Sequence, residues 1–165
     1  MLMILAGVDL SAGQNAVPDR LDLQCRANGR VATVVEDDAL NTPAFAKIQN
    51  RFPTIAINTK LLNAINPLVQ VFIIAHECGH LIASPDLTAA YHQSFDPDRE
   101  KIADRIGIRL MREQLHISAD QAQVIADAFS NTKGALPEYL PGPWRKKWIV
   151  ACFQTNDDQC GNNSD

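Results

Sequence analysis

Asn66-Pro67-Leu68-Val69-Gln70-Val71-Phe72-Ile73-Ile74-Ala75-His76-Glu77-Cys78-Gly79-His80-Leu81-Ile82-Ala83 is the stretch whose conformation sets the architecture of this chain. Its apolar run Val69, Val71, Phe72, Ile73, Ile74 fits a buried strand as readily as a buried helix, because a short apolar segment does not distinguish the two periods. Length and end signals choose the helix. Asn66 can accept a hydrogen bond as N-cap, Pro67 has the fixed φ and missing N–H that suit a first helical turn, and the 17 residues from 67 to 83 are too long for a typical strand. A helix apolar on nearly every side must lie at the centre of the molecule. Gln70, His76, Glu77 and His80 interrupt it, so a membrane span is not expected.

The helical reading gives His76-Glu77-Cys78-Gly79-His80 its chemistry. Histidines at i and i+4 project from one helix face and can share one tetrahedral Zn²⁺. Glu77 is displaced by about a third of a turn, where its carboxylate can reach an activated water without occupying a ligand position. The plainer alternative is a core helix whose histidines hydrogen-bond internally. A catalytic zinc also needs a third protein ligand and an open fourth position. Glu100 is the best candidate. Asp96-Pro97 signals a helix start, Ile102, Ile106 and Leu110 form an apolar stripe, and Glu100 and Asp104 share a face. Asp104 can accept from the distal nitrogen of a zinc-bound histidine. Gly79 and Gly107 can let the two helices approach closely. Taken alone, the Asp/Glu cluster would read as a solvated helix face.

Together these motifs resemble the gluzincin branch of the zincin metallopeptidases. His76-Glu77-Cys78-Gly79-His80 is followed, after nineteen intervening residues, by Glu100-Lys101-Ile102-Ala103-Asp104, which looks like that branch's Glu-x-x-Ala-Asp element. The resemblance covers about a quarter of the chain. It implies zinc ligation by His76, His80 and Glu100, general-base work by Glu77 and a supporting role for Asp104. It also suggests that the strand before the active-site helix, here Thr54 to Asn58, forms the cleft edge and pairs with extended substrate by β-augmentation. Two rivals remain for the third ligand. Asp86 stands where the metzincin pattern HExxHxxGxxH has its last histidine, although Ala83 replaces that pattern's glycine and Pro85 precedes Asp86. His92 is the other. Tyr91 and His92, in the segment between the two ligand helices, are candidate donors to substrate or oxyanion, ahead of Arg105 and His116.

The rest of the chain predicts an α+β fold, with one zincin-like domain over 1–155 and a flexible tail over 156–165. A small sheet, a hairpin plus an edge strand, would pack on the central helix. Leu21 to Cys25 and Val31 to Val35 flank Asn28-Gly29, a hairpin signal. Thr42-Pro43 is read as opening a helix through about Asn50. Ser118 caps a helix to Ser130 with Val124, Ile125, Ala128 and Phe129 as its apolar positions, Gly134 to Pro143 is a loop, and a last helix from Trp144 to Phe153 packs its tryptophans and Ile149 inward.

At 165 residues and 46% hydrophobic, the chain can bury a core without cross-links. A net charge of −4 gives no footprint for nucleic acid. Arg145-Lys146-Lys147 reads as the solvated face of a terminal helix. Cys78 reads as a small core residue. Cys25, Cys152 and Cys160 can include one disulfide, and the spacing of the last two suits a small loop. Met1 to Gly7 is apolar without a preceding basic region, and reads as a signal remnant or an N-terminal strand. The cysteines leave the compartment open, with an extracytoplasmic setting slightly favoured.

The expected function is a zinc-dependent peptidase acting on a peptide or protein, of unassigned substrate and oligomeric state. A zincin scaffold kept for binding or regulation without turnover is the alternative. A regulatory peptidase cutting one repressor-like partner would carry the same residues.

Overall fold

A computed structural model describes residues 18–19, 22–84, 96–130, 142–155 and 160. The chain is α+β. Its described elements run β1 (Arg26–Ala27), β2 (Arg30–Val31), β3 (Thr33–Glu36), β4 (Ala44–Gln49), β5 (Phe52–Ile57), α1 (Thr59–Asn63), α2 (Pro67–Ala83), α3 (Pro97–Leu115), α4 (Ala119–Ser130) and α5 (Gly142–Gln154). No helix among the described residues is long and apolar enough to cross a membrane.

The Asn28-Gly29 turn forms as the sequence predicts, both residues having positive φ (53° and 72°) as a two-residue hairpin of matching twist requires. The hairpin is shorter than expected. It closes with Ala27 opposite Arg30 and Arg26 opposite Val31, after which β3 runs parallel to β5, Thr33 opposite Thr54. The segment read as a helix from Thr42 to Asn50 is instead strand β4. Ala44 and Ala46 are buried while Phe45 and Lys47 are less so, a period of two, and β4 pairs antiparallel with β5 from Ala44↔Ile57 to Gln49↔Phe52. The turn between them uses Asn50 and Arg51, both at positive φ (53° and 66°). An arginine there gives none of the usual glycine signal, and tertiary pairing overrode local propensity.

The three-stranded sheet has the order β3-β5-β4. The strand expected at the cleft edge, Thr54 to Asn58, therefore belongs to the central strand, and β4 is the edge that lies against α2. Helix α2 matches its predicted bounds, with the Asn66 side chain accepting from Leu68 N–H and Pro67 in the first turn. It sits between the sheet and α3, and α4 and α5 complete the helical layer. Phe72, Leu81, Ile55, Ile108, Met111, Ile125 and Ile149 fill the fully buried core. Ser118 caps α4 as expected, its Oγ accepting from Gln121 N–H while Gln121 Oε1 accepts from Ser118 N–H. Val124 and Ala128, read as core positions, face outward, and Ala122 and Ala126 take the inner face beside Ile125.

The α2 and α3 backbones touch because both carry glycine at the crossing. A Cβ at Gly79 would lie 2.5 Å from the Ala103 carbonyl oxygen and 2.7 Å from its Cα, while one at Gly107 would lie 3.0 Å from His76 N. Backbone cannot yield as a flexible side chain does. Gly79→Ala is expected to destabilise the chain by about 1–3 kcal/mol or more through overpacking, against a smaller loss for Gly107→Ala. Urea denaturation of both variants checks the order. A Gly79→Ala chain as stable as the native one would mean that the helices are free to part.

All four cysteines are cross-linked, Cys25 to Cys78 and Cys152 to Cys160. The second pair follows the predicted small loop and ties residue 160, in the segment expected to be a flexible tail, to α5. The first corrects the reading of Cys78 as a plain core thiol. It is fully buried, but as a bridge from the central helix to the segment before β1.

Candidate metal centre

Helix α2 presents His76, Glu77 and His80, and the first two turns of α3 present Glu100 and Asp104. The i,i+4 spacing brings the two histidine Nε2 atoms to 3.1 Å. Across the glycine crossing, Glu100 meets both, with Oε2 3.2 Å from His76 Nε2 and Oε1 3.3 Å from His80 Nε2. His76 and His80 are buried and Glu100 keeps 15% of its side chain exposed, giving the group one solvent-facing side. This buried His76, His80, Glu100 group could hold a metal ion. Asp86, Tyr91 and His92 lie outside the described residues. His116 is excluded from the cluster by position: it ends α3 in a left-handed conformation, and sixteen residues of helix set it about 24 Å from Glu100.

Asp104, fully buried, accepts from His76 as predicted, its Oδ1 lying 2.7 Å from Nδ1. A carboxylate has no proton to give, so Nδ1 carries the hydrogen and Nε2 faces the cluster. The residue that sequence reasoning missed is Arg145. Adjacency in sequence groups it with a solvated basic run, yet it is 3% exposed, with Nε donating to Asp104 Oδ2 at 2.9 Å and Nη2 donating to Oδ1 at 2.6 Å. Its guanidinium lies 5.5 Å from the Phe72 ring centroid and 4.2 Å from that of Phe129. A signal existed. Arg145, Ile149 and Cys152 recur at helical spacing and all three are buried, whereas Lys146 turns out to Asp127 at 2.6 Å. Trp148 packs partly inward and donates from Nε1 to the Lys101 carbonyl at 3.2 Å, while Trp144, expected to pack, is 60% exposed.

No protein family description, curated protein or solved structure matches the chain.

Burial pulls the His76 imidazole down, but the Asp104 carboxylate beside it and the hydrogen bond to Glu100 push it up to about 9. Burial likewise works against the charge on Glu100, and hydrogen bonds from His76 and His80 hold its carboxyl below the ordinary carboxylate range. Asp104 is driven up by burial and more strongly down by Arg145 and His76, so it stays ionised. Two imidazoles and a carboxylate brought together form a group that could hold a metal ion.

Glu77 is buried at 5% exposure and its Oε2 accepts from Ala46 N–H at 2.8 Å. This bond joins the candidate general base to edge strand β4. It fixes one carboxylate oxygen to the strand and restricts the orientations open to the other.

Proposed function

We propose that the chain is a zinc-dependent peptidase of gluzincin type. The observation that carries this reading is the meeting of three side chains: the two histidine Nε2 atoms lie 3.1 Å apart, and the Glu100 carboxylate sets one oxygen 3.2 Å from His76 Nε2 and the other 3.3 Å from His80 Nε2. Zinc bonds of about 2.0–2.1 Å place tetrahedral ligands about 3.3 Å apart, a spacing that these pairwise contacts match. Two histidines and one carboxylate, the set found among the described residues, are a catalytic rather than a structural ligand set, since structural zinc is closed by four protein ligands, usually cysteine-rich. Zinc held there supplies a Lewis acid that lowers the pKa of water to about 7 and polarises a carbonyl. Glu77 takes a proton from the attacking water and delivers it to the leaving amine. Asp104 keeps the His76 proton on Nδ1.

The bond from Ala46 to Glu77 favours a second reading, in which Glu77 is a structural anchor and the scaffold holds metal without turnover. Chain purified without chelator should contain stoichiometric zinc and hydrolyse members of an unbiased peptide library. Chelation should abolish both, added zinc should restore both, and Glu100→Ala should lower occupancy. Zinc without hydrolysis would favour the second reading. Full occupancy in Glu100→Ala would move the third ligand to another residue, with Asp86 first in line.

A further inference from the structure

We propose that Arg145 is a positioning residue for the metal centre: by gripping both oxygens of Asp104 it holds the carboxylate that orients His76, and it makes the docking of α5 part of metal binding. The inference rests on the metal reading above and adds to it an element far away in sequence. Asp104 sits at full burial, and its carboxyl plane is free to turn unless both oxygens are held. Arg145 holds them in a two-point contact, Nε on Oδ2 and Nη2 on Oδ1, the geometry that a planar guanidinium offers and an ammonium does not. His76 Nδ1 then meets Oδ1 at 2.7 Å, and its 3.2 Å distance to Arg145 Nη2 follows from two donors sharing one oxygen. The imidazole plane is set by this arrangement, and with it the aim of Nε2.

Phe72, one turn before His76 on α2, and Phe129 on α4 flank the guanidinium, so α2, α4 and α5 together fix where Arg145 stands. The positive charge of Arg145 could instead act only by compensating Asp104, or could repel an incoming cation. Geometry and charge make opposite statements about zinc affinity. Loss of an oriented partner of a ligating histidine weakens metal binding by about 10–100-fold, whereas loss of a nearby positive charge would tighten it.

The test is zinc affinity by competition with a chelating indicator, together with the visible absorption bands of the cobalt(II)-loaded chain, for Arg145→Met and Arg145→Lys in the native and the Asp104→Asn backgrounds. Arg145→Met should weaken zinc binding by about 10–100-fold in the native background and change the cobalt bands. In the Asp104→Asn background, where the carboxylate it acts through is gone, the same substitution should have little further effect, as coupled partners show in a double-mutant cycle. Unchanged or tighter binding in the native background, or an equal loss in both backgrounds, overturns the proposal. Where Arg145→Met does not fold, Arg145→Lys decides. It keeps the charge and loses the two-point grip, so weaker zinc binding and altered cobalt bands support positioning, while native affinity and bands overturn it. A native chain that binds no zinc at all would instead overturn the metal reading beneath it.

Discussion

Glu77→Gln is expected to keep its zinc and to lose peptide hydrolysis by about 10²–10⁴-fold, the contribution of a positioned general base. The separation of these two outcomes follows from the site. The group that could hold the ion is His76, His80 and Glu100, and Glu77 is not part of it. Glutamine is also close in shape, and its amide oxygen can still accept from Ala46 N–H, so the contact between α2 and β4 is retained while the base is removed. Alanine would remove both at once and leave the Ala46 N–H with one acceptor fewer, confusing chemistry with folding. Metal analysis and turnover on one preparation decide the matter. Native turnover in the Gln variant would leave Glu77 as a strand anchor and remove it from the mechanism. Loss of zinc together with turnover would show that Glu77 shapes the metal centre itself.

How much of this centre could be read from the sequence depended on how local each signal was. The bounds of α2, its Asn66 cap and Pro67, the Asp96-Pro97 start of α3 and the shared faces of His76 with His80 and of Glu100 with Asp104 follow from local end signals and four-residue spacings, whereas the meeting of those two faces was expected from the family resemblance. Gly79 and Gly107 were legible for the same reason, since a small residue on a helix face invites a neighbour. What was missed depended on distant partners. Strand β4 exists because β5 lies beside it, and its turn is made by Asn50-Arg51 rather than by a residue that announces positive φ. The motif around Cys78 gives no sign of its partner Cys25, which lies 53 residues away. Adjacency groups Arg145 with Lys146 and Lys147, although a helix sorts residues by turn and not by adjacency. Trp144 and Val124 differ in the opposite direction: apolar character predicts an inward position, but their helix faces point to solvent, which a folded surface tolerates.

Removing the Cys25–Cys78 bridge by a double alanine substitution is expected to cost about 4 kcal/mol, the largest stability effect of any change considered for this chain. In the chain-entropy account, the loss grows with the logarithm of the closed loop, here a separation of 53 residues, against 8 for Cys152–Cys160, where about 2–3 kcal/mol is expected. A domain is stable by only about 5–15 kcal/mol, so the first loss consumes a large part of it. It also falls at the centre of the molecule. Cys78 follows Glu77 directly and lies between His76 and His80, and the bridge fixes this turn of α2 to the segment that leads into β1. Two such cross-links fit an oxidising setting, where they persist. Denaturant unfolding of the native chain, of each double alanine variant and of the reduced native chain measures both terms. The reduced chain should fall below either variant, since it lacks both bridges. A Cys25→Ala/Cys78→Ala chain within about 1 kcal/mol of native would mean that the unfolded state is already compact enough to gain little from the long loop. A loss larger for the short loop than for the long one would contradict the entropic account, and would place the main stabilising constraint on α5, the helix that carries Arg145.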